Sequence, residues 1–157
     1  MMKLSAGIAY ENGTETSVAV TFSDIVEGLT VGAGTGTNQN SDLITEDDVE
    51  TYFATYTMGS ITVGAQNTKV DAESATSDIE RDSMGVSFAV NENLSISYGV
   101  SEVEFDEFTK DEESSGVSAS YTTGGMTVGL VHNSKDNVGG TDGTDEEVTE
   151  LKLTLAF

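Results

Sequence analysis

A chain of 157 residues with 28 Asp plus Glu against 6 Lys plus Arg carries a formal charge of −22. That balance excludes nucleic-acid binding, which needs a basic patch over the phosphates, and it opposes docking on anionic lipid by charge alone. The absence of Cys removes disulfides, thiolate zinc sites and thiol nucleophiles. No run of ~18 apolar residues offers a transmembrane helix, but a barrel strand shows lipid only every second residue and would not need one.

The length fits one domain over residues 1–157. Met1-Met2-Lys3-Leu4 passes straight into an alternating pattern, without the apolar stretch and cleavage site of a secretory signal. An exported protein of this kind is expected to have lost its signal or to be a piece of a longer chain.

Strand follows strand, with no helical period. The alternation marks ten candidates: 3–10, 16–22, 29–36, 49–58, 61–68, 83–90, 94–102, 116–121, 126–134 and 148–157. Each puts its apolar residues on one face. Leu4, Ala6, Ile8 and Tyr10 share a side, as do Val18, Val20 and Phe22, and Leu29, Val31 and Ala33. Tyr52, Ala54, Tyr56 and Met58 lead to Ile61, Val63 and Ala65 across Gly59-Ser60. Met84, Val86, Phe88 and Val90 lead to Leu94, Ile96, Tyr98 and Val100 across Asn91-Glu92-Asn93. Val117, Ala119 and Tyr121 lead to Met126, Val128 and Leu130 across Thr122–Gly125. These turn lengths keep the apolar side in phase, and a one-residue slip would invert it.

Short turns near 23–28, 59–60, 91–93 and 122–125 alternate with polar loops expected near 37–48, 69–82, 103–115 and 135–147. The short link at 11–15 breaks that rule. Acidic residues concentrate in the long loops. Short turns at one rim and long loops at the other is the layout of an outer-membrane barrel. A solenoid or propeller would need a recurring signature, and none is present.

Alternation alone leaves two readings open. Apolar side chains point inward in a soluble sandwich and outward in a membrane barrel. Three features favour the barrel, beginning with the opposite face. It is Gly, Ser, Thr and Ala rather than the Lys- and Glu-rich face of a soluble sheet, interrupted by Lys3, Glu150 and Lys152. Aromatics near strand ends (Tyr10, Phe22, Tyr121 and Phe157) suit the membrane interface. The last strand, Val148–Phe157, sets Leu151, Leu153, Leu155 and Phe157 on one side. An open sheet of ten strands would leave two aggregation-prone edges.

Tyr56-Thr57-Met58-Gly59-Ser60-Ile61-Thr62-Val63-Gly64 and Tyr121-Thr122-Thr123-Gly124-Gly125-Met126-Thr127-Val128-Gly129 share a Tyr-Thr…Gly…Thr-Val-Gly pattern. They resemble the periplasmic hairpins of general porins of the alphaproteobacterial, Rhodobacter type. The strand Glu150–Phe157 resembles that family's C-terminal strand. The resemblance implies a Gram-negative outer-membrane location and a homotrimer of 16-stranded barrels, a size that leaves an aqueous channel. It also implies contact with lipopolysaccharide and the outer-membrane assembly machinery, with Leu151, Leu153, Leu155 and Phe157 as the assembly signal. Ten strands match the C-terminal portion of such a barrel or a smaller relative. The family's basic pore wall is thinly represented, with Lys3 and Lys152 as its candidates here.

The expected fold is thus an all-β, antiparallel up-and-down transmembrane barrel. The expected function is passive diffusion of small hydrophilic solutes with mild cation selectivity. Expected pore-lining residues are Lys3, Ser5, Thr62, Gln66, Ser95, Ser97, Glu150, Lys152 and Thr154. No enzyme is expected: the lone His132 lacks an Asp two residues away, and no Ser has a base in register. No cofactor is expected beyond Ca²⁺, for which Asp136, Asp142 and Asp145 offer hard oxygen ligands without EF-hand spacing. The alternatives are a non-conducting outer-membrane barrel with acidic surface loops, and a soluble secreted Ca²⁺-binding β-protein.

Overall fold

The computed structural model describes residues 2–11, 15–40, 45–73 and 78–156. The ten strands are β1 (Lys3–Glu11), β2 (Glu15–Ser23), β3 (Leu29–Asn40), β4 (Thr45–Met58), β5 (Ile61–Ala72), β6 (Ile79–Ala89), β7 (Leu94–Phe105), β8 (Glu112–Thr123), β9 (Met126–Asp136) and β10 (Glu146–Leu155). They form one sheet in sequence order, each antiparallel to its neighbours, with β1 and β10 at the two edges. A short 3-10 turn, Val138–Gly140, is the only helical element among the described residues, so none is long and apolar enough to cross a membrane.

Register confirms the phase argument. Met58 faces Ile61 across Gly59-Ser60, and Leu94 faces Tyr121. In the last hairpin turn β8 runs on to Thr123, which pairs with Met126 across Gly124-Gly125. Both glycines take positive φ, 52° and 83°, as the tightest hairpin turns require.

Burial is inverted relative to a soluble protein. Val103, 2% exposed, is the one buried hydrophobic residue among those described. Large apolar residues on most strands stand open instead, up to 80% exposed at Ile8 and 73% at Leu151, while Leu29 and Val31 on β3 and Met126 and Val128 on β9 are half-buried. On β5 the polar face is the more sheltered, with Thr62 and Gly64 half-buried where Ile61, Val63 and Ala65 are exposed, whereas β10 is exposed on both faces. The sandwich alternative required the opposite.

This inner face holds the sheet in register with a ladder of hydroxyl pairs. Ser83 Oγ donates to Ser101 Oγ at 3.1 Å. Ser97 and Ser118, Thr51 and Thr68, Thr57 and Thr62, and Thr122 and Thr127 pair at 2.8–3.1 Å. Each such pair contributes about 0.2–1 kcal/mol. Gly64, Gly85, Gly99 and Gly116 stand directly opposite one another across β5 to β8 and strip that strip of the inner wall of side chains. At Gly32 the space is taken by the Phe53 ring, which lies where a Cβ would stand.

Strands β3 to β8 run three or four residues further at the long-connection end than alternation suggested, and β9 and β10 two. Of the expected loops at 37–48, 69–82, 103–115 and 135–147, strands take up all but 41–44 and 73–78, of which 41–44 and 74–77 lie outside the described residues, and all but 106–111 and 137–145. The cause is that alternation inverts there rather than stopping. On the outer face Tyr52 gives way to Glu50, Ala65 to Asn67, Met84 to Asp82 and Val100 to Glu102. On the inner face Val49, Val70, Ile79 and Phe105 stand opposite one another in a row. Below that switch, the apolar run Leu94 to Val100 spans about 20 Å along β7.

Candidate functional site: the inner wall and its mouth

The inner face is built by parity. Thr62, Gln66, Ser95, Ser97, Glu150, Lys152 and Thr154 fall on it with Lys3 and Ser5, opposite the apolar set. The same parity, carried through the strand extensions, adds two cations that were not expected there. Arg81 faces Thr68 and Val103, and Lys135 faces Ser114. Lys3 and Lys152 are therefore not the only basic residues on this wall. Counting back by twos from Ser83, and on from Val131, would have found both.

At the mouth β7, β8 and β9 carry a buried cluster. Glu112, 7% exposed, accepts from Lys135 Nζ at 2.9 Å and from the Gly139 backbone N–H at 3.0 Å. These two donors, Gly139 first, hold its carboxyl below the usual carboxylate range. Glu112 lies above the apolar band, at the first position of β8. Arg81 makes no ion pair among the described residues and adds a smaller pull on Glu112.

The outer face at the same level is a band of like charges. Glu80 faces Glu104, Asp82 faces Glu102, Glu102 faces Glu113, and Glu113 faces Asp136. Directly opposed like charges disfavour strand pairing. Asp111, with the other carboxylates nearby, raises the proton affinity of Glu104. Asn67 answers part of the charge, donating through Nδ2 to Glu80 at 2.7 Å and Asp82 at 2.9 Å.

The candidate Ca²⁺ residues are not gathered. Asp142 meets Lys110 Nζ at 3.4 Å, and Asp145 Oδ1 accepts from the Asn137 backbone N–H at 3.3 Å. Asp136 stands on the outer face opposite Glu113. Among the described residues no three His, Asp or Glu side chains are grouped to hold a metal. His132 sits on the outer face next to Thr149, with Nδ1 and Oγ1 2.9 Å apart. Of the proposed assembly signal, Leu151, Leu153 and Leu155 line the outer face of β10, and Phe157 lies outside the described residues.

Ten up-and-down antiparallel strands with an exposed apolar face and a sheltered hydroxyl-rich one define an outer-membrane β-barrel wall. The chain belongs to the Gram-negative porin family, whose model matches residues 3–153. The Rhodobacter-type subfamily is not singled out by that match. Two solved structures share the fold. The outer-membrane expressed OmpT of Vibrio cholerae has a TM-score of 0.61 at 16% identity, over 94% of this chain and 58% of that one. A loop L8 deletion mutant of the same protein has a TM-score of 0.64 at 17% identity, over 98% of this chain and 58% of that one. The chain thus spans a little under three fifths of the length of these barrels. No curated protein matches it by sequence. Family and fold place it in the outer membrane.

Proposed function

We propose that the ten strands form part of the wall of a water-filled channel through which small hydrophilic solutes diffuse. The inverted burial carries this reading: apolar residues stand exposed on the outer face, while Ser, Thr and Gly line the sheltered one. Such a wall needs lipid outside and water inside. Diameter and lining charge then set what passes, without catalytic group or cofactor. The exposed edges of β1 and β10, and a length under three fifths of the solved barrels, support a wider barrel than ten strands enclose. Further strands from the same polypeptide would complete it, and a homotrimer is the assembly that the porin resemblance favours.

The long connections open to the exterior and the short turns to the periplasm in this orientation. A net charge of −22 concentrates cations at the mouth. Glu112 pairs with Lys135, and Arg81 makes no ion pair among the described residues. In a salt gradient across a planar bilayer the reversal potential is expected to show mild cation preference, and anion preference would contradict it. Lipopolysaccharide is the proposed neighbour of the outer face. Phe157 is the proposed end of a signal read by the assembly machinery. Deleting Phe157 is expected to reduce the heat-modifiable folded form in cells, and unchanged folding would remove that role.

A further inference from the structure

Phe53 is the one aromatic residue of the inner wall, among those described, that rests on no other ring. Parity also puts Phe105 on that face, but Phe105 packs edge-on against Phe108 at the mouth, with ring centroids 5.8 Å apart. Phe53 lies lower, directly between Gly32 on β3 and Gln66 on β5. Its ring reaches the place that a Cβ would take on Gly32, with Cζ 2.6 Å from that point. A ring that reaches its directly opposed neighbour runs along the wall instead of standing out into the lumen. One side of it covers Gly32. The residue as a whole is only half-buried, so the other side is open.

Packing on Gly32 accounts for the tip of the ring but not for its neighbours. Gln66 is exposed and gives one amide N–H to Thr68 Oγ1 at 3.1 Å, and Thr68 pairs with Thr51 at 3.1 Å. The Gln66 carbonyl oxygen accepts from no described residue. A concavity of about 450 Å³ opens beside the ring, with Thr55, Thr62, Gln66, Ser83 and Ser97 in its lining. That volume is in the range of small-molecule sites. No charged side chain lines it, and Arg81 stands outside it, opposite Thr68.

Resting on the channel reading, we infer that Phe53 and Gln66 form a binding site for neutral saccharides on the inner wall, where hexose-based solutes pause as they pass. An apolar ring face beside neutral donors and acceptors suits that class. A pyranose has apolar C–H faces and a rim of hydroxyls. It lays one face on the Phe53 ring and exchanges hydrogen bonds with Gln66 and the Ser and Thr hydroxyls. A charged solute finds no partner in the lining, and the net charge of −22 repels anions further. A wholly apolar solute would cover the Gln66 carboxamide without satisfying it.

The test uses the full chain, folded in detergent and then in planar bilayers. It has no Trp of its own, so Phe53→Trp places a single indole at the site. Maltotriose is expected to shift the indole emission saturably, and Gln66→Ala in that background is expected to weaken the response. Sorbitol, which has hydroxyls but no ring face, is expected to give no saturable shift. No saturable shift with maltotriose, or an equal one with sorbitol, would overturn the site. In bilayers, maltotriose is expected to reduce the wild-type current saturably. Phe53→Leu still covers Gly32 but has no aromatic face, and is expected to weaken that block by about two- to tenfold. A wild-type block in Phe53→Leu would reduce Phe53 to wall packing and overturn the inference. A wild type that does not conduct overturns the channel reading, while the indole still reports whether the sugar binds. Current with neither block nor emission shift overturns the site and leaves the channel reading standing.

Discussion

Arginine in place of Val86 is expected to destabilise the folded protein in lipid by about 2–4 kcal/mol, the cost of a cation at the bilayer midplane of a barrel. Val86 sits in the middle of the outer apolar band, between Val63 on β5 and Tyr98 on β7. Its side chain is 41% exposed, with no protein layer above it. The same substitution at Ser97, on the inner face, leaves the guanidinium in water and is expected to cost far less. Reversible urea unfolding in lipid vesicles measures both. Equal costs, or a larger cost at Ser97, would mean that the polar face is the one packed away from water.

A single residue inserted between Ser97 and Tyr98 is expected to abolish the folded form, whereas two are expected to restore much of it. β7 is paired along its length to β6 and β8, so no free edge absorbs the slip. One extra residue sends Tyr98 and Val100 to the inner face and Ser101 to lipid. It also breaks the pairing of Ser83 with Ser101, which lies beyond the insertion. Two extra residues return every side chain to its face, at the cost of a displaced turn. Heat-modifiable migration on gels reads the outcome. Equal folding of the two insertions would show that a bulge takes up the extra residue, and that face identity does not govern assembly.

The band of the fold in lipid was legible in the sequence because two signals agree there. Period-two alternation gives the strands, and turn lengths keep Met58 with Ile61 and Val90 with Leu94 on one side. The mouth was not legible, because the solvent changes. Outside the bilayer the outer face meets water, so Asp82, Glu102 and Glu113 replace apolar residues, and charge looks like loop. The inner face there carries Val70, Ile79 and Phe105 in place of Ser and Gly, and Phe105 packs on Phe108 of the β7–β8 connection. Arg81, Lys135 and Glu112 fell in those stretches and were missed as wall residues. Phe53 was hidden differently. Its place on the inner wall depends on Gly32 across the strand pair, a contact no single strand's pattern reveals.

The account rests on one alternation with lipid on one side and water on the other. Single cysteines along β7, from Leu94 to Phe105, test it directly, and the chain has no native Cys to remove. Each carries a nitroxide label, read by collisions with oxygen, which partitions into lipid, and with a water-soluble nickel complex. Oxygen contact is expected to peak at Leu94, Ile96, Tyr98 and Val100 and nickel contact at Ser95, Ser97, Gly99 and Ser101, with nickel rising on the outer face from Glu102 and falling at buried Val103. Nickel contact at the even positions below Glu102, or both reagents excluded from one whole face, would contradict it.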